Sequence, residues 1–178
     1  MSAAHGTGEP SPWVVRWAPL VRPGGEVLDV ACGGGRHARF LHALGCEVVA
    51  VDRDLALFSG PPPDIEVVAA DLEGGPWPFT GRTFDAIVVT NYLHRPLLPV
   101  LVASLEPGGV LLYETFAQGQ EMLGKPSNPA FLLAPGELLE AVRGRLWVVA
   151  FEDLTVDLPR PARVQRICAR NELGSDGI

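Results

Sequence analysis

The sequence predicts an α/β protein built on a single doubly wound, mostly parallel sheet of seven strands with a C-terminal antiparallel hairpin. Three observations lead to this fold class. Five short apolar runs alternate with helical or broken segments, which is typical of a parallel sheet covered on both faces. The runs are nearly continuous in apolar character, as buried parallel strands are. The last two runs are joined by TVDLPRPA, which has no helical pattern and favours antiparallel pairing.

The elements are predicted in the following order. Ser11 caps a short helix that Pro12 opens, and Gly45 ends a second helix over 36–44. Strands are predicted at 26–31, 46–52, 65–71, 84–91, 110–116, 146–154 and 163–170, and further helices at 97–105 and 135–142. Prolines 61–63 leave room for only a turn or two of helix after the second strand, and residues 73–82 are predicted to be a loop.

A chain of 178 residues, of which 47% are hydrophobic, is expected to form one domain over residues 1–178 with its own hydrophobic core. Residues 1–10 are small and polar and are predicted to be a flexible tail without a secretory signal. Residues 117–134 have no clear period, and an unstructured connection of that length is typical of a binding loop. We therefore predict an active-site loop there.

Composition disfavours several function classes. The net charge of −7 argues against a broad nucleic-acid surface, and no apolar run is long enough to span a membrane. The three cysteines lack the close spacing of a zinc site or a disulfide framework, so no metal is predicted and a cytoplasmic location is expected. The sequence gives no indication of oligomeric state.

The glycine-rich stretch VLDVACGGG carries the functional hypothesis. Gly33-x-Gly35-x-x-Ala38 follows a strand and opens a helix, and Asp52 ends the next strand 19 positions after Gly33. That spacing is typical of a nucleotide site in which the acid binds ribose hydroxyls. An acid at Asp29, just before the turn, is unfavourable beside a pyrophosphate but suits a cationic nucleoside. S-adenosylmethionine, which has an ammonium, a sulfonium and no phosphate, fits better than a nicotinamide dinucleotide.

The wider stretch VLDVACGGGRHARFL…VVAVD resembles the nucleotide-binding motif of class I, Rossmann-like S-adenosylmethionine-dependent methyltransferases. The resemblance continues through Asp71-Leu72, Asn91-Tyr92 and Pro107-Gly108-Gly109, and includes the terminal hairpin. The segments GGGRHA and NPAFLLAPGELL are most similar to the tellurite-resistance-type small-molecule methyltransferases. The resemblance implies S-adenosyl-L-methionine as cofactor and a small-molecule methyl acceptor.

The resemblance also implies residue roles. Asp29 would orient the methionine amine, Asp52 the ribose hydroxyls, and Asp71 with Leu72 the adenine. The full predicted cofactor-binding set is Asp29, Ala31, Gly33, Gly35, Asp52, Arg53, Asp71, Leu72 and Asn91. Alternatives remain open: Asp29 as an acid that stabilises the turn, Asp71 as a turn cap, and Asp52 as a solvated strand end.

The segment NYLHR supplies the predicted catalytic residues, Tyr92 and His94, at the carboxyl end of the fourth strand. They would position or deprotonate the acceptor, since histidine is the commonest general base. The alternative is that Tyr92 packs over the methionine tail and His94 only precedes a helix. The arginines Arg160, Arg163 and Arg166 are either a solvated face or an anion-binding edge. Alternative functions are a methyltransferase acting on RNA or protein, and a non-catalytic S-adenosylmethionine-binding protein.

Overall fold

A seven-stranded sheet dominates the computed structural model, which describes residues 8–172. The strands are β1 (Glu26–Val30), β2 (Glu47–Asp52), β3 (Glu66–Ala69), β4 (Phe84–Thr90), β5 (Leu105–Phe116), β6 (Trp147–Val156) and β7 (Ala162–Arg170). Their spatial order is β3-β2-β1-β4-β5-β7-β6; β1 to β5 are parallel, and β7 is antiparallel to both neighbours. The predicted fold class is confirmed.

Four α-helices flank the sheet: α1 (Pro12–Trp17), α2 (Arg36–Ala43), α3 (Leu98–Ala103) and α4 (Glu137–Val142). Single 3₁₀ turns lie at Ala18–Leu20, Leu55–Leu57, Arg95–Leu97, Gln120–Met122 and Pro129–Phe131. The N-cap prediction for α1 is confirmed, because the Ser11 hydroxyl accepts a hydrogen bond from the Trp13 N–H. Gly45 follows α2 at φ 88°, the left-handed conformation that ends many helices.

The core has two halves, one on each face of the sheet. Residues alternate between them along each strand, so that Val27 and Leu28 of β1 lie in different halves. One half packs against α1 and α2, and the other against α3 and α4. Asp29 shares the face of Val27 because the two are two residues apart, which directs its carboxylate toward the α1 and α2 side.

Three predicted boundaries were wrong. Strand β5 begins at Leu105, which pairs with Phe84, and the predicted turn at 107–109 lies within this strand as a shift of register. Helix α3 covers only Leu98–Ala103, since the preceding turn is 3₁₀. Pro135 does not open α4, because Gly136, at φ 71°, is the N-cap.

The predicted tail falls mostly outside the described residues, since only residues 8–10 of it are placed. The carbonyl oxygen of Glu9 accepts a hydrogen bond from Arg36 at 3.3 Å. Among residues 8–172, no helix has the length and apolarity needed to cross a bilayer. One domain over the whole chain stays a prediction, while the described part contributes all its named strands to one sheet.

Candidate active site

The strand order reverses between β1 and β4, and ligands in parallel sheets bind at this switch point, beyond the carboxyl ends of the strands. Both strands end in an unusual conformation. Ala31 follows β1 and Asn91 follows β4. Each has φ 53°, a left-handed backbone conformation that residues other than glycine rarely adopt. Such strain costs about 1–3 kcal/mol per residue and clusters at functional sites. It therefore marks this edge as the candidate site.

Asp29 is the acid most removed from water at this edge. The residue is 1% exposed, and its Oδ2 atom is buried without a hydrogen-bond partner. Burial raises the pKa of the carboxyl to about 7, while the Ala38 backbone and Arg36 oppose the shift. A buried carboxylate without a partner is unfavourable. Asp29 is thus equipped to bind a cation. A cationic ligand would explain why its Oδ2 atom is buried without a partner.

The glycine turn is held by Asp52 rather than by Asp29. Asp52 Oδ2 accepts the Gly33 N–H at 2.9 Å, and Oδ1 accepts the Asp54 N–H at 2.9 Å. These bonds connect the end of β2 to the turn that follows β1. Asp52 is half-buried, so its carboxylate remains within reach of a ligand at the edge of the sheet.

Gly35 has a structural requirement that the sequence did not reveal. A Cβ atom built at Gly35 would lie 2.4 Å from the ring of Phe58, and the backbone φ is 79°. Phe58 is buried, and Arg39 lies 4.8 Å above its ring. Gly35 therefore admits an aromatic ring against the backbone. Its predicted contact with the cofactor stays a prediction.

Asp71 behaves as the turn cap that the sequence left open as an alternative. Its Oδ1 accepts the N–H groups of Glu73 and Gly74 at 3.0 and 3.1 Å. These two bonds lower the pKa of the carboxyl. Leu72, the other predicted adenine contact, is buried in the core. The adenine role of this pair stays a prediction; both hydrogen bonds of the turn go to Oδ1 of Asp71, and Oδ2 accepts none from it.

Tyr92 is partly buried and lies near three carboxylates at this edge of the sheet. Burial is the main cause that raises the pKa of its hydroxyl, and the carboxylates of Glu73, Asp71 and Asp52 add to it. The phenol is therefore neutral at physiological pH and can act as a hydrogen-bond donor. His94 lies two residues further on, where it precedes the 3₁₀ turn without capping it by its side chain.

A cavity of about 320 Å³ opens at the carboxyl ends of β4 and β5. Asn91, Tyr92 and Leu93 line one side, and Thr115 with Phe116 line another. Residues of the 117–134 loop, of the turn after β3 and of the β6–β7 connection complete the wall. The cavity brings together two predicted site residues, Asn91 and Tyr92, whereas His94, Arg53 and the acids Asp29, Asp52 and Asp71 lie outside its lining.

The 117–134 loop is tied down at both ends. Ala117 and Leu133 form a β-bridge, and the Gln118 N–H donates to the Leu133 carbonyl oxygen. Arg95 donates to the carbonyl oxygens of Ala130 and Leu132. The loop is thereby fixed to the turn after β4, and the side chains of its middle part form one wall of the cavity.

A buried polar network beside the site has a structural role. His37 is 2% exposed; its Nε2 accepts the Ser11 N–H at 3.0 Å, so the proton lies on Nδ1, 3.3 Å from the Thr90 hydroxyl. Burial lowers the pKa of the imidazole to about 3, which keeps it neutral. The Ser11 hydroxyl donates to Glu114, which also accepts from Arg166. This network joins α1 to β5, and in it His37 and Glu114 hold the start of α1 in place through Ser11.

Comparison with known proteins agrees with this geometry. The family described as "Methyltransferase domain" matches residues 27–109, which include the glycine turn, Asp52 and the end of β4. Residues 27–109 are therefore similar to a methyltransferase domain. This confirms the resemblance found in the sequence, and S-adenosyl-L-methionine is the cofactor of the family.

Individual relatives and solved structures give the extent of the similarity. A demethylmenaquinone methyltransferase of Renibacterium salmoninarum is 31% identical over 116 residues, 57% of this chain and 48% of its own. TehB from Haemophilus influenzae superposes with a TM-score of 0.74 at 20% identity, over 91% of this chain and 62% of its own. A TehB-like S-adenosylmethionine-dependent methyltransferase from Corynebacterium glutamicum superposes at 0.67 and 19% identity, over 93% and 90%. The chain spans about half the length of the curated relatives it matches.

The residues at the switch point fit the cofactor of the family. The orphaned Asp29 oxygen offers a buried negative charge to an ammonium group, and the half-buried Asp52 carboxylate has further lone pairs for hydroxyl groups. The glycine turn brings backbone rather than side chains to the same edge, with Gly33 at φ 54°. The chemistry of this donor set is that of a cationic nucleoside site.

Proposed function

We propose that the protein transfers the methyl group of S-adenosylmethionine to a small-molecule acceptor. The observation that carries this proposal is the cavity of about 320 Å³ at the carboxyl ends of β4 and β5. Its volume is at the lower end of the range for small-molecule sites, roughly 300–1,000 Å³, which favours a small acceptor over a macromolecule. The net charge of −7 supports the same choice against RNA.

When bound, the cofactor supplies an activated methyl group that a nucleophile displaces in line. Asp29 would hold the amine through its unused buried oxygen, and Asp52 would hold the ribose hydroxyls. Gly33, Gly35 and Ala31 would present backbone at the turn, with Arg53, Asp71, Leu72 and Asn91 completing the cofactor site. The main contribution of the chain would be alignment of the two reactants, which can lower a barrier by about 7–11 kcal/mol.

Tyr92 and His94 are the residues proposed to act on the acceptor. Because burial and three neighbouring carboxylates raise the pKa of Tyr92, its role would be to donate a hydrogen bond rather than to remove a proton. His94 would be the general base for a protonated acceptor, a role worth about 10²–10⁴-fold in rate. The 117–134 loop would exclude water, since three of its residues line the cavity.

Calorimetry with the purified protein tests the cofactor half of the proposal. S-adenosylhomocysteine should bind, and NAD should not. The Asp52→Asn variant should bind S-adenosylhomocysteine about tenfold to a hundredfold more weakly, because a charge-assisted hydrogen bond is lost. Asp64→Asn removes an exposed carboxylate whose ion-pair partner within residues 8–172 is His42 alone, and it should leave the affinity unchanged. Binding of NAD in preference to S-adenosylhomocysteine would refute the proposal.

Turnover tests the acceptor half. Release of S-adenosylhomocysteine from S-adenosylmethionine should depend on an added small molecule from a panel of carboxylic acids, phenols, amines, thiols and quinols. Turnover only with RNA or protein substrates would contradict the small-molecule assignment. Tight cofactor binding without turnover on any acceptor would instead favour a non-catalytic binding protein.

A further inference from the structure

The cavity at the carboxyl ends of β4 and β5 contains two cationic side chains that lack an acidic partner. Lys125 of the 117–134 loop and Arg160 of the β6–β7 connection both line it. The Lys125 ammonium donates to the Ser127 hydroxyl at 3.0 Å. Within residues 8–172, neither Lys125 nor Arg160 takes part in an ion pair. Their charges are therefore available to a ligand.

Three other arginines, on neighbouring segments, already have acidic partners. Arg163 pairs with Asp153 at 2.5 Å, and Arg166 pairs with Glu114 at 3.0 Å and Glu152 at 2.6 Å. Arg95 pairs with Glu137 at 2.6 Å. Arg160 therefore differs from Arg163 and Arg166 of the same hairpin, which both have acidic partners. In a chain with net charge −7, two unpaired cations at one cavity are a local exception.

The rest of the lining combines apolar side chains with the polar Asn91 and Thr115 and one acid, Glu73, which forms no ion pair with either cation. Leu93, Phe116, Pro126 and Phe131 supply carbon surface, and the Tyr92 ring lies beside them. Phe131 is 48% exposed, an unusual exposure for a large apolar side chain at a cavity wall. Aromatic and aliphatic walls with a few convergent polar groups are typical of sites for ring-shaped small molecules.

We propose that the methyl acceptor is an aromatic carboxylate, with its ring against Phe116 and Phe131 and its carboxylate held by Lys125 and Arg160. This inference rests on the proposed function and specifies its substrate class. An uncharged ring would leave the two cations without a partner at the cavity. A carboxylate can accept from both at once, and an arginine can bind it through two parallel hydrogen bonds.

Matched pairs of ligands test the inference. Calorimetry in saturating S-adenosylhomocysteine should show that benzoate and 2-naphthoate bind at least tenfold more tightly than benzamide and 2-naphthamide. Each of Lys125→Gln and Arg160→Gln should weaken carboxylate binding by about three- to tenfold, between the values for an exposed ion pair and a charge-assisted hydrogen bond. The neutral amides should bind all variants alike.

The control substitution is Arg145→Gln. Arg145 is exposed at the opposite edge of the sheet, near the start of β5, and should leave carboxylate binding unchanged. Failure of S-adenosylhomocysteine to bind would overturn the proposed function itself. If it binds while carboxylates do not, or bind no better than amides, the acceptor inference alone is overturned. A matching loss of S-adenosylhomocysteine affinity in Lys125→Gln and Arg160→Gln would also overturn it, since the cations would then serve the cofactor's own carboxylate.

Discussion

Replacing Asp29 with asparagine should remove a pH-dependent loss of stability that the buried carboxyl causes. Its pKa is raised from 3.8 to about 7, so the folded state holds this proton more tightly than the unfolded chain does. The stabilising contribution is therefore complete below pH 3.8 and is lost as the pH rises through 7. A shift of about 3 units corresponds to about 4 kcal/mol, of which about 2–3 kcal/mol falls between pH 5 and pH 8.

Urea unfolding at pH 5, 6, 7 and 8 measures this effect as the difference in unfolding free energy between Asp29→Asn and the wild type. The difference should move by about 2–3 kcal/mol in favour of the variant as the pH rises. Asp85→Asn is the control: Arg22 lowers the pKa of Asp85, so this acid stays ionised throughout and the difference should be flat. Parallel stability profiles for Asp29→Asn and the wild type would refute the reasoning.

The same carboxyl should make cofactor binding depend on pH. The wild type should bind S-adenosylhomocysteine about tenfold more tightly at pH 8 than at pH 6, because the ionised fraction of a group with a pKa near 7 rises by that factor. Asp29→Asn should bind weakly and without this dependence. A wild-type affinity that is constant between these pH values would show that Asp29 does not bind the amine.

Other substitutions test the turn, the α1 network and the base. Gly35→Ala should lower the unfolding free energy by about 2–4 kcal/mol, because the new methyl group would clash with the buried ring of Phe58. Gly45→Ala is the control: its Cβ has open space, and it should cost about 1 kcal/mol. Equal losses in the two variants would contradict the close approach of Phe58 to Gly35. Arg166→Gln should cost about 2–3 kcal/mol in urea unfolding, because two half-buried carboxylates, Glu114 and Glu152, each lose an arginine partner. The exposed Arg143→Gln should cost under 1 kcal/mol, and equally small losses in both variants would exclude a structural role for Arg166. His94→Gln should lower kcat about 10²–10⁴-fold with an unchanged S-adenosylhomocysteine affinity; an unaltered kcat would exclude it as the base.

The order of elements could be predicted because each strand is marked in the sequence by composition. The runs 46–52 and 84–91 are apolar at almost every position, as strands buried on both faces must be, and both were found within a residue or so of their predicted bounds. Boundaries near prolines and glycines were harder. The turn at 107–109 reads as a break, yet Leu105 before it still pairs with Phe84, and only the three-dimensional register reveals this.

The cofactor half of the candidate site was more predictable than the acceptor half. Asp29 and Asp52 stand at fixed distances from a glycine turn, so their positions follow from one motif. Phe58 contacts Gly35 across 23 positions of irregular chain, and no local pattern indicates that contact. Lys125 and Arg160 likewise come from two irregular segments 35 residues apart, and only their joint lining of one cavity distinguishes them from ordinary surface charges.

The bridge between Ala117 and Leu133 has a consequence for how this family can diversify. The two ends of the segment are fastened to each other, Gln120 accepts the Arg163 N–H of β7, and Ala130 accepts from Arg95. Replacement of residues 121–129 keeps all three of these contacts. Under the proposed function, methyl-donor recognition and acceptor choice would reside in separately replaceable parts of the chain. Exchange of residues 121–129 between relatives should then change the acceptor and leave the affinity for S-adenosylhomocysteine unchanged.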